Sequence, residues 1–287
     1  MTPQEYDYLR DFLRGQSGLD LSDDKRYLVE ARLGPVARRA GIADLSALIG
    51  ALKLGGDMKL RTSVVEAMTT NESSFFRDRT PFDHFKDVIV PHMLQKRATK
   101  RGIKVWCAAA STGQEPYSLA ISSREDSRLN AWHLDILATD IAETVMDRGK
   151  AGIYSQFEVQ RGLPIQLLVK YFTQQGDMWE LDPSIRRMVR WQKQNLLANF
   201  TALGRFDVVF CRNVLIYFDR PTKTEVLSRI ADALEPDGYL ILGAAETVVG
   251  LSDRFEAQPN CRGLYRPLPK SAVVPAMPGL RAVGQVA

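Results

Sequence analysis

The feature that most constrains this chain is a change of rhythm near Lys104, after which short apolar runs alternate with amphipathic stretches. Lys104–Cys107, Leu134–Ala138, Phe206–Phe210 and Tyr239–Leu242 each have the length and texture of a strand. Helical patterns separate them, most clearly Thr222–Leu234. Antiparallel neighbours need only a tight turn, whereas parallel strands need a long crossover, usually a helix. The pattern therefore predicts an α/β, Rossmann-like domain with a parallel sheet covered by helices. Glu235–Pro236–Asp237–Gly238 reads as a turn. Phe255–Ala257 and Gly263–Arg266 read as a hairpin around Pro259–Asn260.

Upstream, the periodicity is helical. Tyr8, Leu9, Phe12 and Leu13, then Tyr27, Leu28 and Ala31, then Leu45, Leu48, Ile49 and Leu52 recur at helix spacing, with breaks at Gly15–Gly18, Gly41 and Gly55–Gly56. Residues 1–80 are thus expected to form a small all-helical N-terminal domain, and residues 81–267 the α/β domain. A chain of 287 residues suits one large or two unequal domains. Residues 154–192 interrupt the α/β alternation with a helical piece (Pro164–Phe172), a turn at Gly176–Asp177 and strand-like ends. They predict a small inserted subdomain on the sheet's carboxyl edge. Residues 268–287 are rich in Pro, Ala, Val and Gly without periodicity and are expected to be a disordered tail.

Composition removes several classes. No apolar run approaches the ~18 residues of a membrane helix. The start, MTPQEYDYLRDFLRG, lacks the apolar core of a signal peptide, so a cytoplasmic location is expected. A net charge of +4 gives no extended basic footprint for nucleic acid. Cys107, Cys211 and Cys261 stand alone, and His84, His92 and His133 lie apart, so neither a disulfide framework nor a metal site is expected. Cys107 and Cys211, at strand ends, read as inert core.

The first strand runs into Ala108–Ala109–Ala110–Ser111–Thr112–Gly113 and then Gln114–Glu115–Pro116–Tyr117. A strand, a loop of tiny residues and a helix with Pro in its first turn form the first βα turn of a doubly wound sheet, where ligands bind. Small side chains let a ligand approach the backbone closely. The next strand ends in Thr139–Asp140, and a carboxylate there can bridge two ribose hydroxyls. The loop has a single glycine rather than G-x-G-x-x-G, so a pyrophosphate is poorly matched. An adenosine cofactor without phosphate, S-adenosylmethionine, fits better; a structural turn with no ligand is the alternative. At the third strand end, Arg212–Asn213–Val214–Leu215–Ile216–Tyr217 puts polar residues and an aromatic where substrate and a reactive methyl would meet, or forms a turn built on Asn213. Thr69–Asp78 sets polar residues against Phe75, Phe76 and Arg77, as a site or as a capped helix start.

Taken together, T-T-N-E-S-S-F-F-R, A-A-A-S-T-G-Q-E-P-Y-S, A-T-D-I, V-F-C-R-N-V-L-I-Y-F and L-E-P-D-G-Y-L, in this order, closely resemble the CheR family, the chemotaxis receptor glutamate O-methyltransferases. The resemblance covers residues 5–267. It implies S-adenosylmethionine as cofactor and S-adenosylhomocysteine as product. It implies that Asn71, Ser73 and Arg77 hold the cofactor, with Arg77 also at the methyl-transfer centre. It places Glu115 on the methionine amino group, Asp140 on the ribose, Asn195 and Leu196 at the adenine, Arg212 and Asn213 by the methionine part, and Tyr217 beside the substrate carboxylate. The family commonly has Thr at Ser73 and often Glu at Gln114, which leaves Gln114 a weak candidate.

The implied reaction is in-line attack of a glutamate carboxylate on a sulfonium methyl. That carboxylate is already ionised at neutral pH and needs no general base. Lys25, Arg32 and Arg39 repeat every seven residues, with Gly34–Pro35 marking a point where the helix would kink. The resemblance implies that this basic stripe docks the acidic methylation helices of receptors; a solvated helix face is the alternative. Family members that bind a receptor C-terminal pentapeptide carry a longer, glycine-rich loop in the insert. Here Thr173–Glu180 is short with one glycine, so no such tether is expected, and the membrane is reached only through receptors. Three rival readings are a nucleic-acid methylase, a small-molecule methyltransferase and a non-enzymatic sensor of the cofactor. The first would show a [D/N]-P-P-[Y/F] motif after the third strand, the second would not need the basic helical domain, and the third would be favoured by loss of Arg77 or Tyr217.

Overall fold

The structure is a computed structural model that describes residues 1–269. The expected tail, apart from Leu268 and Pro269, lies outside the described residues. The chain begins with α1 (Pro3–Ser17), α2 (Arg26–Arg39), α3 (Leu45–Lys53) and α4 (Met58–Met68). Helix α1 starts in a capping box between Thr2 and Glu5 and stops at Gly18, whose φ is +78°. These helices close on Tyr6, Leu9, Leu13, Val29, Leu33, Leu48, Val64 and Met68, all buried. Helix α2 runs through Gly34–Pro35 without a break. Ala31 and Pro35 are both exposed, so the carbonyl that Pro35 leaves without a donor faces water.

Next come α5 (Thr80–His84), a π-helical turn (Phe85–Ile89) and α6 (Val90–Lys96). Phe75, Phe82, Phe85, Ile89 and Met93 join the core of the sheet rather than that of the N-terminal helices. The two cores therefore part between Met68 and Phe75, upstream of residue 80. Residues 69–74 form the linker, and part of the expected site lies on it.

The α/β part continues as β1 (Gly102–Ala108), α7 (Gln114–Glu125), β2 (His133–Asp140) and α8 (Glu143–Ala151). The insert follows as β3 (Ile153–Ser155), α9 (Gln156–Gln160), α10 (Ile165–Tyr171), β4 (Phe172–Gln175), β5 (Met178–Leu181) and α11 (Pro183–Arg186). The chain closes with β6 (Val189–Lys193), β7 (Phe206–Cys211), α12 (Arg220–Ala233), β8 (Leu234–Leu242), β9 (Phe255–Ala257) and β10 (Leu264–Pro267). The main sheet has the order β6-β2-β1-β7-β8-β10-β9. Strands β6, β2, β1, β7 and β8 are parallel, and β10 is antiparallel to both its neighbours. Strand order reverses between β1 and β7, which opens a crevice at their carboxyl ends.

Three expectations are corrected. The insert, expected over 154–192, ends before Val189, because Val189–Lys193 pairs in parallel with Ile136–Asp140 as β6. Its outer residues stay largely exposed, as on an edge strand, so it lacks the apolar run of the central strands. The turn expected at Glu235–Gly238 is instead a bulge within β8: Phe206 pairs with Leu234 but Val208 with Tyr239. Arg97 clamps this bulge, with Nε 2.7 Å from Asp207 Oδ1 and Nη1 and Nη2 at 2.9 and 2.6 Å from the Asp237 carboxylate. Finally, Arg32 does not stand free on a basic stripe. Its guanidinium donates to the carbonyls of Met68 and Thr69 at the end of α4, at 2.9 and 3.0 Å, and to Thr70 Oγ1. Those terminal carbonyls lack helical partners and attract a cation. Arg39 remains exposed and Lys25 half-exposed.

Candidate functional site

The loops after β1, β2 and β7, the linker and the end of α1 surround one cleft with about 970 Å³ of empty space, part of it open to solvent. Asn71, Ser73, Arg77, Glu115, Asp140, Asn195, Leu196, Arg212, Asn213 and Tyr217 all line it. Gln114 does not; its Oε1 accepts from Thr112 Oγ1 in the interior.

The loop after β1 is tightly wound. Ala109 and Ser111 have φ of +65° and +51°, and Gly113, where α7 begins, +96°. Left-handed backbone at non-glycine residues costs about 1–3 kcal/mol each and persists only when surroundings hold it. Here Ala110 N–H donates to Thr139 O and Ser111 N–H to Asp140 Oδ2, both at 2.8 Å. Tyr154 O–H donates to Thr112 O at 2.9 Å. A Cβ on Gly113 would lie 2.9 Å from Tyr117 Cε2, so the small residue is required there. Ser111 Oγ donates to Asn71 O at 2.9 Å, which joins the linker to this loop.

Asp140 ends β2. Its oxygens accept the backbone N–H groups of Ser111 at 2.8 Å and Ala142 at 3.0 Å, one on each oxygen. Burial pushes its pKa up, and these N–H groups oppose the shift. Glu115, in the first turn of α7, is also raised by burial, and the Arg212 charge counters it.

Arg212, at the end of β7, is the electrostatic centre. Its side chain is 2% exposed. Nη1 donates to Glu115 Oε2, and Nη2 to Asp78 Oδ2 and Arg77 O, all at 2.8 Å. Its Nε is buried without a partner. Arg77 donates from Nη1 to Glu72 O at 2.8 Å. Glu72 pairs with Arg161 of the insert, and that pairing lowers its pKa.

The end of α1 contributes part of the wall, which sequence reasoning missed: Ser17 and Leu19 line the cleft, as do Ile141 and Gln194, beside Thr69 and Thr70 of the linker stretch that the sequence had marked. Leu19 forms a bridge with Phe218, and Asp20 N–H donates to Tyr217 O at 2.8 Å. Asn195 Nδ2 donates to Gln16 O at 2.7 Å while its Oδ1 accepts Leu197 N–H at 2.9 Å. Both polar ends of its side chain are therefore occupied. Glu246, also missed, lies behind the wall and accepts the backbone N–H groups of Asn213, Val214 and Leu215 from the segment after β8.

The wall fits an adenosine cofactor. It offers a carboxylate at the β2 end, a tight loop of small residues, and a buried Glu115–Arg212 pair with one orphaned Nε.

The comparisons agree with this geometry. Residues 4–69 match the family described as "CheR methyltransferase, all-alpha domain", and residues 71–263 match "CheR methyltransferase, SAM binding domain". The chain is 42% identical over 261 residues to "Chemotaxis protein methyltransferase 1" of Vibrio cholerae, covering 89% of this chain and 94% of that one. It is 41% identical over 260 residues to the "Chemotaxis protein methyltransferase" of Vibrio anguillarum, with the same coverage. It is 39% identical over 259 residues to "Chemotaxis protein methyltransferase 1" of Pseudomonas aeruginosa, covering 88% and 93%.

Proposed function

The chain belongs to the CheR methyltransferase family, and we propose that it transfers a methyl group from S-adenosylmethionine to glutamate side-chain carboxylates of chemoreceptors. The products are glutamate methyl esters and S-adenosylhomocysteine, serving adaptation in chemotaxis or related chemosensory signalling. The observation that carries the choice of acceptor is the wall itself, which among the described residues contains no His, Lys or Cys. Its carboxylates are engaged: Glu115 by Arg212, Asp140 by backbone N–H groups, and Glu72 by Arg161. With these carboxylates already bonded, a nucleophile that arrives ionised is the best match to the wall. A glutamate, with an ordinary pKa near 4.3, does so; an alcohol or a lysine does not. The shared name of the relatives, chemotaxis protein methyltransferase, supports receptors as its source.

The cofactor, when bound, supplies a methyl group on a positively charged sulfur. Asp140 would accept the ribose hydroxyls, and Asn195 and Leu196 would border the adenine. Glu115 would face the methionine amino group, with Arg212, Asn213, Asn71 and Ser73 around the methionine part. Arg77 and Tyr217 are the catalytic pair, orienting the incoming carboxylate in line. Opposite charges on acceptor and donor cancel in the transition state, so alignment and exclusion of water carry the rate. An Arg77 that gripped the carboxylate too tightly would stabilise the ground state instead.

In this reading the protein is cytoplasmic and reaches the membrane only through its receptors. Among the described residues no helix is long and apolar enough to cross a membrane. Lys25 and Arg39 belong to the docking face, while Arg32 braces it from behind. The β4–β5 hairpin turns on Gly176–Asp177 alone, and no receptor pentapeptide is bound. Saturable calorimetric binding of a receptor C-terminal pentapeptide would overturn that last point.

The test is transfer from tritiated S-adenosylmethionine to chemoreceptor membranes. Alkali should release volatile methanol from the wild-type reaction and not from Arg77→Ala. A wild type that binds cofactor yet leaves no base-labile label on any receptor preparation sinks the glutamate reading.

A further inference from the structure

The segment Gly243–Ala244–Ala245–Glu246 follows β8 and sends one carboxylate beneath the loop that carries Arg212, Asn213 and Tyr217. Glu246 Oε2 accepts the N–H groups of Gly243 at 2.7 Å and Asn213 at 2.8 Å. Its Oε1 accepts those of Val214 at 2.9 Å and Leu215 at 2.8 Å. Successive backbone N–H groups that converge in this way form a nest for an anion, and charge-assisted bonds to such a nest are strong. The chain fills the nest with its own side chain.

The residues fastened here are those the chemistry needs held. Asn213 has φ of +58°, in the left-handed region. Leu215–Tyr217 is a single 3-10 turn whose flanking Val214 offers no side-chain cap, so Glu246 supplies the acceptor for its first N–H groups. Space is reserved for the carboxylate as well. A Cβ on Gly243 would lie 2.7 Å from Glu246 Oε2 and 3.0 Å from Asn213 N. Glu246 itself does not line the cleft.

We propose that Glu246 is a positioning residue for methyl transfer: its carboxylate holds Asn213 in its left-handed conformation and fixes the turn that aims Tyr217 at the acceptor. The proposal rests on the methyl-transfer reading of the cleft for its turnover arm and on the nest geometry for its exchange arm. Glu246→Gln is the informative change. It keeps the size of the side chain, but an amide nitrogen cannot accept, so two of the N–H groups face a donor. The adenosine end is held by Asp140 and the β1 loop and is left intact.

The experiment compares wild type, Glu246→Gln and Glu246→Asp, the last keeping the charge but drawing the carboxylate back by one methylene. Calorimetry with S-adenosylhomocysteine counts binding-competent sites and gives Kd; tritium transfer gives turnover per competent site; hydrogen exchange reads the amides of residues 213–215. Both variants should weaken Kd by no more than about tenfold, through the shift of Asn213 at the methionine end, while turnover per site falls about 100-fold, the loss expected for misplacement of an aligning group on the order of 1 Å. The amides at 213–215 should lose protection. Turnover per competent site within threefold of wild type overturns the proposal, as does unchanged protection of those amides. If Glu246→Gln fails to fold, Glu246→Asp decides by the same criteria. If the wild type itself forms no base-labile ester, the acceptor reading fails, and amide protection alone decides the role of Glu246.

Discussion

Replacing Arg212 by Met should convert a paired buried carboxylate into an unpaired one, with a penalty that depends on pH. Glu115 is 11% exposed in its side chain and bonds Arg212 at 2.8 Å. Breaking a buried ion pair by removing one partner destabilises by about 3–5 kcal/mol. The lost bond to Asp78 adds little, because that side chain is 40% exposed and surface pairs are worth about 0–1 kcal/mol. The stacking of Arg212 over Phe82, at 5.8 Å, is similarly minor. Protonation limits the penalty, since neutralising a carboxyl of ordinary pKa at pH 7 costs about 3.7 kcal/mol. Arg212→Met should therefore lose about 3–4 kcal/mol at pH 7. The sign with pH follows from Glu115, whose folded pKa is already raised by burial and would rise further without Arg212. A raised carboxyl pKa makes the folded state bind more protons than the unfolded one, so the deficit grows as pH climbs above the ordinary value and shrinks as pH falls towards it. Urea titrations followed by tryptophan fluorescence between pH 4.5 and 7.5 measure this directly. Glu115→Gln in the Arg212→Met background should restore part of the loss at pH 7. A deficit that does not change with pH, or a double variant no more stable than Arg212→Met, refutes the reasoning.

Other outcomes follow from single contacts. Gly149→Ala would put a Cβ 2.3 Å from Trp191 Cη2 and should destabilise by about 1–3 kcal/mol, read as a lower melting temperature. Asp237→Asn removes one of the two carboxylate partners of Arg97 and leaves Asp207. Because that bond holds the Asp237 carboxyl below the usual range, its stabilisation is present above about pH 4 and is lost as pH falls through the folded value. The gap in melting temperature between Asp237→Asn and wild type should therefore narrow from pH 5 downwards. Arg32→Ala frees the carbonyls at the end of α4 beside Thr70 and Asn71, and should weaken S-adenosylhomocysteine binding severalfold by calorimetry. Lys25→Ala and Arg39→Ala should leave that affinity unchanged and lower only methylation of receptors, in a salt-dependent way.

The strand–helix alternation, the helical N-terminal domain and the small-residue loop before Glu115 were legible in the residues, which also marked Asp140 and Arg212 as strand-end polar groups. These signals are local: apolar period, turn chemistry and the abrupt appearance of charge after an apolar run. The hidden strand β6 shows where that reading stops. Val189–Lys193 reads as a strand-like end of the insert, and only its pairing with β2 places it in the main sheet. The same holds for the bulge in β8, whose Pro, Asp and Gly read as a turn until Arg97 is seen clamping Asp237 to Asp207. Tertiary structure alone decided what Arg32, Leu19 and Glu246 do. Heptad spacing put Arg32 on a surface stripe, but unsatisfied carbonyls on α4 drew it inward. Leu19 meets Phe218, and Glu246 meets Asn213, across long stretches of chain. Such contacts leave no periodic trace, because what selects them is a backbone group needing a partner at a place that exists only once the sheet and helices have packed.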